Sequence, residues 1–219
     1  MMSEWATGKL KLVGGRLCLD FVNTVYARTV GGEFPKRTRV GDYSPGDDKF
    51  TSYADLVAWS ARAGVLSDRE ARRLLRLADD RPKKAEAVLK RAVKLREATY
   101  HIFRAKLAGK RANEADLRRV NDELRVAKDH EKLRPKADGF ALEWVDGDSL
   151  DRMLWPVARS AAEVLASDEL DRVRQCGGEN CGWLFLDTSR NRSRQWCDMN
   201  DCGNLAKVRR FRQRRQERQ

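Results

Sequence analysis

Cys176-Gly-Gly-Glu-Asn-Cys181 is followed, fifteen residues later, by Cys197-Asp-Met-Asn-Asp-Cys202. Two short-spaced cysteine pairs separated by a hairpin-sized gap are typical of a structural zinc site with four thiolate ligands. Zinc takes four soft ligands in a tetrahedron, and two close pairs allow two short loops to supply all of them. Two disulfides, or four unrelated buried thiols, are the alternative interpretations. We therefore predict one structural Zn²⁺ bound by these four cysteines.

The positive charge of the chain is concentrated in its C-terminal part. The net charge is +12 over 219 residues, and 41% of the residues are hydrophobic, which is enough for a core. Residues 170–219 hold 12 Lys and Arg against 6 Asp and Glu and therefore contribute +6. Such an excess favours polyanionic partners, with nucleic acid first and an acidic membrane second.

We expect a soluble, cytoplasmic protein without a membrane span. Residues 1–5 lack the basic region followed by an apolar run that a secretory signal has, and no apolar stretch approaches the ~20 residues of a membrane helix. Reducing conditions in the cytoplasm favour metal-bound thiolates over disulfides. The fifth cysteine, Cys18, lies alone in an apolar run and is interpreted as a core residue.

Residues 1–169 are predicted to form a helical domain with a role in regulation or ligand sensing. Ser52, Ser67 and Asn113 have the position and side chain of helix N-caps. Pro82 suits the first turn of a long helix. Each of these start signals is followed by apolar residues at helical spacing, which indicates a buried side on every helix.

The end of this domain is predicted to contain a hairpin and a further helix. Residues 131–134 and 140–145 could pair as two strands through a turn that contains Gly139. Asp148 or Ser149 then caps a helix, and Pro156 either bends that helix or marks its start.

Two polar residues interrupt an apolar segment near the N-terminus. After a turn at Gly14, apolar residues recur at i, i+4 spacing within 17–25, which predicts a buried helix, with a strand as the alternative. Asp20 and Asn23 lie within this segment. They either bond to backbone groups at a helix end or line a small-molecule pocket together with residues 27–50.

Residues 170–219 are predicted to form a small treble-clef-like zinc finger. Residues 183–186 are typical of a strand, and 192–196 are predicted to be the strand that returns to the metal. Cys202 then opens a helix from 203 to about 216, whose N-terminus stabilises a thiolate. The predicted fold class is therefore mainly α (α+β), with the zinc finger following the helical domain.

The residues of the finger resemble the CGNR zinc-finger family. The resemblance runs through both cysteine pairs, residues 185–189, Trp196-Cys197 and Cys202-Gly203-Asn204. Leu205 stands where the family has the arginine of its name, so the role of that arginine is not carried over to this chain.

Residues 17–24, Leu-Cys-Leu-Asp-Phe-Val-Asn-Thr, resemble the opening of the domain that is usually joined to this finger. That domain is called a putative stress-induced transcription regulator. Together the two resemblances cover most of the chain, and they imply a zinc-dependent regulator of transcription in a stress response.

The finger is also predicted to present a basic surface to a phosphate backbone. Alternation along the predicted hairpin would place its three arginines on one face. On the last helix, Leu205, Val208 and Phe211 are expected to face the hairpin and Trp183 or Trp196, and to leave the basic residues outside. The alternative is that these cations balance the zinc–thiolate charge or form a solvated tail. The residues predicted to contact nucleic acid are Arg190, Arg192, Arg194, Lys207, Arg209, Arg210, Arg212 and Arg214.

The leading hypothesis is a DNA-binding transcription regulator whose N-terminal domain senses a small-molecule effector or forms a homodimer. We do not expect an enzyme, because a full tetrahedral sulfur site has no open position for a substrate. The sequence also has only two histidines and no recognisable nucleophile–base pair. The alternatives are an N-terminal domain that binds or converts a small molecule, and a finger that binds RNA or serves as an interaction module.

Overall fold

Helices dominate the structure, and the strands form two separate two-stranded antiparallel sheets. The computed structural model describes residues 11–25, 48–145, 147–178 and 181–217. The predicted mainly α fold with a small hairpin is confirmed. The helices are α1 (Leu17–Val22), α2 (Tyr53–Arg62), α3 (Asp68–Asp80), α4 (Pro82–Leu107), α5 (Glu114–Asp129), α6 (Leu154–Leu165) and α7 (Asn204–Gln216). The strands are β1 (Glu131–Lys136), β2 (Gly139–Trp144), β3 (Val173–Gln175) and β4 (Leu184–Leu186).

α1 lies at the centre of the hydrophobic core, although it has only six residues. Leu19, Phe21 and Val22 are fully buried, and the helix packs against α4, α6 and β4. The backbone N–H of Cys18 donates to Ser160 Oγ of α6 (3.2 Å), which satisfies one of the free N–H groups of the first turn. The predicted buried helix is confirmed, and so is the placement of Cys18 in the core.

Side-chain caps begin three of the helices, as predicted. Ser52 and Ser67 form capping boxes with Asp55 and Glu70, in which each side chain accepts a backbone N–H of the other residue. Asn113 accepts a backbone N–H of α5. Caps of this kind each stabilise a helix by about 1 kcal/mol, so these starts are determined by local sequence.

α6 begins at Leu154 and not at Asp148 or Ser149, where the sequence predicted a cap. Pro156 has no N–H to donate to the Arg152 carbonyl, so a continuous helix from residue 150 would lose a hydrogen bond and meet the proline ring. The chain instead turns at residues 150–153 and places Pro156 in the first turn of the helix. The prediction that Pro156 marks the start is therefore the correct alternative.

β1 and β2 form the predicted hairpin, with Leu133 opposite Leu142. At the base of the hairpin, Trp144 approaches Trp155 of α6, with ring centroids 6.1 Å apart. Further out, Leu133, Phe140 and Leu142 are mostly exposed. The hairpin therefore packs on the helices at its base and projects an apolar face beyond them.

A buried arginine ties the longest helix, α4, to the loop segment at Asp48. The side chain of Arg96 is fully buried and bonds to both carboxylate oxygens of Asp48 (2.7 and 2.6 Å) and to Glu97 (2.8 Å). Its guanidinium also lies 5.5 Å from the ring centroid of Phe50. Burial of this charge is tolerated because two carboxylates bond to it. In the described part of the chain, no helix combines the length and apolar character needed to cross a bilayer.

β4 joins the cysteine-rich part of the chain to the helical core. One edge of β4 pairs with β3. At the other edge, the Asn23 side chain donates to the Leu184 carbonyl (2.8 Å) and accepts the Leu184 N–H (2.9 Å). The Leu186 N–H donates to the Gly14 carbonyl (2.8 Å). Both edges of β4 therefore have hydrogen-bond partners, and Asn23 takes the place of a neighbouring strand.

Close packing at Gly14 brings this part of the chain against α1. A Cβ atom at Gly14 would lie 2.7 Å from the backbone nitrogen of Asp20, so only glycine fits here. Leu184 and Leu186 belong to the same buried cluster as the helices. The predicted division into domains at residues 169 and 170 stays a prediction, and hydrogen bonds and apolar contacts cross it.

Replacing Asn23 by Ala should lower the free energy of unfolding by about 2–4 kcal/mol, because the buried N–H and carbonyl of Leu184 would both lose their partner. Urea unfolding followed by circular dichroism measures the change. Asn121→Ala, at an exposed position of α5, is the matched control and should change the stability by less than about 0.5 kcal/mol. Equal stability of the two variants would contradict the role given to Asn23.

Candidate metal centre and basic helix

The four paired cysteines meet in one cluster. Their Sγ atoms all lie within 4.8 Å of one another, with 3.6 Å between Cys181 and Cys197 and 3.8 Å between Cys197 and Cys202. A tetrahedral site with Zn–S bonds of about 2.3 Å places its sulfurs about 3.8 Å apart. A disulfide needs about 2.05 Å, and all five cysteines are free. The cysteines are therefore positioned to bind one metal ion, and the disulfide alternative is wrong.

Backbone N–H groups support a thiolate at the first ligand position. The Cys176 sulfur accepts the N–H of Gly178 (3.4 Å) and the N–H of Cys197 (3.3 Å). The pKa of Cys176 is lowered to about 2, first by hydrogen bonds from the Cys181 and Cys197 thiols and then by these two N–H groups. Cys176 is thus the thiolate that the protein itself stabilises most strongly.

The pKa values of the other three cysteines of the cluster are raised, so these thiols resist ionisation. Hydrogen bonding to the Cys176 sulfur raises the pKa of Cys181 to about 12 and also raises that of Cys197. Burial and the charge of Cys176 raise the pKa of Cys202. Four thiolates at this separation repel one another, so a divalent cation is what allows all four to ionise together.

The loop that carries the first cysteine pair passes close to the sulfur cluster. A Cβ atom at Gly178 would lie 3.1 Å from the Cys202 sulfur and 3.1 Å from the Cys181 Cβ. Only glycine allows this approach without movement of a ligand. The donor set, the sulfur spacing and this glycine all fit a zinc ion held by Cys176, Cys181, Cys197 and Cys202.

The predicted returning strand at residues 192–196 is not formed. Residues 191–196 have no regular secondary structure, and Arg192 has a φ of 49°. The physical reason is that β4 is already bonded at both edges, by β3 on one side and by Asn23 and Gly14 on the other. A further strand has no free edge to join.

The three arginines of this segment consequently do not share one strand face. Arg190 and Arg192 are exposed. Arg194 instead turns toward the metal loop, where its Nε donates to the Trp196 carbonyl (2.9 Å) and its Nη2 donates to the Cys197 carbonyl. Its guanidinium lies 4.5 Å from the Phe185 ring centroid. The structure therefore uses Arg194 to hold the loop of the second cysteine pair.

A buried carboxylate organises the turn between the cysteine pairs. Asp187 accepts the N–H and hydroxyl of Ser189 (2.9 and 2.6 Å) and the N–H of Arg194 (3.0 Å). The N–H of Arg192 donates to the Ser189 carbonyl (3.2 Å), which closes the turn. The aspartate also fixes the backbone from which the Arg194 side chain reaches the metal loop.

The acidic residues of the second cysteine loop are neutralised by the N-terminal segment. Lys11 Nζ lies 2.6 Å from Asp198 and 2.9 Å from Asp201. Beside it, Val13 packs against the buried cluster that contains two of the cysteines. Sequence spacing could not reveal this ion pair, because its partners lie almost the whole chain apart. Asp198 and Asp201 therefore have a cationic partner, Lys11, that does not belong to α7.

Most residues of α7 are exposed, and none is buried. It packs mainly against the turn Met199–Gly203, which contains Cys202. Leu205, Val208 and Phe211 are 59%, 47% and 64% exposed. The predicted hairpin is not formed, but Leu205 and Val208 border an open cavity of about 800 Å³ together with Trp183 and Trp196, the two tryptophans that they were expected to face.

Five of the six basic side chains of α7 are not paired with an acidic residue among the residues that the structure describes. In the part of the chain that the structure describes, no carboxylate pairs with the cations at positions 207, 210, 212, 214 and 215. The helix carries six basic residues and no acidic one. The cation-balancing alternative is therefore not supported for these five residues, whereas Arg194 does serve the finger itself.

The two residues predicted to line a pocket have separate roles. Asn23 bonds to β4, whereas Asp20 accepts the Gly14 N–H (2.7 Å) and borders an open cavity of about 520 Å³ with Trp144 and Arg159. Burial raises the pKa of Asp20 to about 6. Residues 27–47, which are most of the loop that was predicted to complete this pocket, lie outside the described residues.

Two family models match the chain. The model described as a putative stress-induced transcription regulator matches residues 15–168, and the model described as a CGNR zinc finger matches residues 172–215. The resemblance based on the residue motifs is thereby confirmed. No curated protein matches the chain.

Replacing Cys202 by Ser should reduce the bound zinc from about one ion per chain to nearly none after dialysis against a chelator, because a hydroxyl is a poor zinc ligand. Elemental analysis by mass spectrometry measures the zinc content. Cys18→Ala removes the cysteine that lies outside the cluster and should keep the full zinc content. A Cys202→Ser protein that retains one zinc per chain would contradict the four-thiolate site.

Arg194→Ala should lower the melting temperature and speed the transfer of zinc to a chromogenic chelator, because two carbonyls beside Cys197 lose a charged donor. Arg194→Lys should not restore the slow transfer. A lysine ammonium group lacks the planar guanidinium that donates to two carbonyls and stacks on the Phe185 ring. Arg190→Ala, an exposed position, is the control. Equal release rates for the Arg194 and Arg190 variants would contradict the positioning role of Arg194.

Proposed function

The chain belongs to the family of putative stress-induced transcription regulators and carries a CGNR zinc finger, and from this premise we propose that it binds duplex DNA through the basic surface of the finger. The single observation that carries the proposal is α7, a helix with six basic residues, no acidic residue and no buried residue. Exposed arginines and lysines at this density are the charges that bind phosphate.

The electrostatic arrangement of the finger supports this proposal. Lys11 forms ion pairs with Asp198 and Asp201, so these carboxylates have a cationic partner outside α7. Arg190 and Arg192 are exposed on the same small module and add to its positive charge. Arg194 belongs to the predicted contact set, but its bonds to the metal loop give it a supporting role in this proposal.

The zinc ion has a structural part in the proposed function. Four thiolates fill a tetrahedral site and leave no open position for a substrate, so the metal holds the two loops together and stabilises the start of α7. The matched families are described as a regulator and a zinc finger, and we propose a non-enzymatic role. An effector or a homodimer of the helical part stays a prediction.

Binding should be measured by fluorescence anisotropy with a labelled duplex and the zinc-loaded full chain. Affinity should fall at least about tenfold between ~50 and ~200 mM salt, because phosphate contacts release counterions. The double variant Arg212→Gln/Arg214→Gln should bind more weakly and reduce the slope of log K against log salt by about 2.

Arg118→Gln/Arg119→Gln is the matched control, because it removes the same charge from exposed positions of α5. It should retain the affinity and salt slope of the unchanged protein. No binding of the zinc-loaded chain at ~50 mM salt would overturn the proposed function. Tighter binding to duplex RNA than to duplex DNA would replace DNA with RNA as the partner.

A further inference from the structure

The β1–β2 hairpin has an apolar face that the helices cover only at its base. The register pairs Leu133 with Leu142 and Pro135 with Phe140, and these four side chains share one face with Trp144. Trp144 approaches α6, whereas Leu133, Phe140 and Leu142 are 63%, 73% and 52% exposed. The outer half of this face therefore has large apolar side chains in solvent.

The outer edge of β2 has unused hydrogen-bonding groups. The Val145 N–H donates to the His130 carbonyl (2.8 Å), and in this register every second residue of β2 bonds to β1. The residues between them, Phe140, Leu142 and Trp144, direct their N–H and carbonyl groups away from β1. Among the described residues, no third strand joins this sheet. The edge of β2 is therefore a template for a further strand.

The outer edge of β1 is less suited to pairing. Its outward positions are Glu131, Leu133 and Pro135, and a proline has no N–H to donate. If two copies paired through β1 about Leu133, Lys132 would lie opposite Arg134 of the partner subunit. Like charges directly opposite each other destabilise a sheet. Of the two edges, β2 is therefore the one that favours pairing.

We propose that two copies of this protein form a homodimer by antiparallel pairing of their β2 strands, with Leu142 opposite Leu142 of the partner subunit. This pairing joins the two hairpins into one four-stranded sheet. Each pair of outward residues exchanges two hydrogen bonds, which gives roughly six bonds between the copies. The proposal assigns a surface to the predicted homodimer and does not depend on DNA binding.

The direction of the pairing favours a second copy as the occupant of this edge. In an antiparallel pair the tip of one strand lies beside the base of the other, so Phe140 comes opposite Trp144 of the partner subunit, with Cα atoms about 5.5 Å apart. In each copy Trp144 approaches Trp155 of α6, with ring centroids 6.1 Å apart, so the helices lie on the apolar side of the sheet. A twofold axis perpendicular to the sheet keeps both apolar faces on the same side. The exposed tip of one hairpin is thereby brought towards the helices of the other copy.

The charges on the opposite face of the sheet are compatible with this register. Ala141 lies opposite Glu143 of the partner subunit, and no two like charges lie directly opposite each other across the twofold axis. Glu143 keeps its ion pair with Lys136 of its own hairpin (2.6 Å). Each copy has a net charge of +12, so association should strengthen when salt screens the repulsion between the copies.

The test measures the oligomeric state of the zinc-loaded full chain by sedimentation velocity at ~300 mM salt, where surface charge is largely screened. At ~100 μM the protein should have twice the mass of one chain, and dilution should dissociate it. Amide hydrogen exchange, followed by mass spectrometry of the peptide 139–145, gives a local readout. The N–H groups of Phe140, Leu142 and Trp144 should exchange more slowly in the dimer than in the diluted monomer.

A matched pair of proline variants tests which edge is used. Leu142→Pro removes an outward N–H of β2 but none of its bonds to β1, and it should weaken dimerisation at least about tenfold. Leu133→Pro makes the same change on the outer edge of β1, directly across the hairpin, and should keep the dimer affinity within about threefold. Phe140→Glu leaves both edges intact and places a charge beside Trp144 of the partner subunit. It should also weaken dimerisation at least about tenfold.

Circular dichroism shows whether each variant is folded, and Phe140→Glu provides the test if the proline variants do not fold. A protein that stays monomeric at ~100 μM would overturn the proposal. A dimer that withstands both Leu142→Pro and Phe140→Glu would overturn the placement of the interface at β2. Equally slow exchange of the 139–145 amides in the diluted monomer would also overturn it and identify another segment of the same chain as the occupant of this edge.

Discussion

The hydrogen bonds at the two edges of β4 are the constraint on which the rest of the structure depends. β3 occupies one edge, and the side chain of Asn23 and the carbonyl of Gly14 occupy the other. This arrangement anchors the cysteine-rich part of the chain on α1. It also leaves no edge for a third strand, so the segment before the second cysteine pair is irregular and α7 projects without a sheet to cover it.

The distribution of charge follows from the same arrangement. Because the N-terminal segment runs beside β4, Lys11 comes within reach of Asp198 and Asp201. The carboxylates nearest the metal loop are therefore paired with a lysine from the other end of the chain. Arg194 is used inside the finger, whereas the cations of α7 lie in solvent. The finger thus separates the positive charge that maintains its structure from the positive charge available to a partner.

Features determined by a few neighbouring residues were predictable. Ser52, Ser67 and Asn113 cap helices through bonds that span two or three residues, and the alternation in β2 specified the hairpin. The buried Arg96 was missed, because an arginine in a helix is usually exposed. Only the fold shows that the carboxylates of Asp48 and Glu97 pair with it. The contacts of Arg194 with the metal loop were missed for the same reason, since its partners are backbone carbonyls that no sequence pattern marks.

The sequence by itself determined the metal ligands, the helical character of the chain and the excess of positive charge, because cysteine spacing, helical periodicity and composition are local properties. Only the tertiary structure decided which strand pairs with β4, which arginines face solvent and which side of α7 remains open. These choices depend on hydrogen-bond partners and ion pairs that lie far apart in the chain. The buried backbone N–H and carbonyl groups of β4 each need a hydrogen-bond partner, and this requirement favours the pairing that the structure shows.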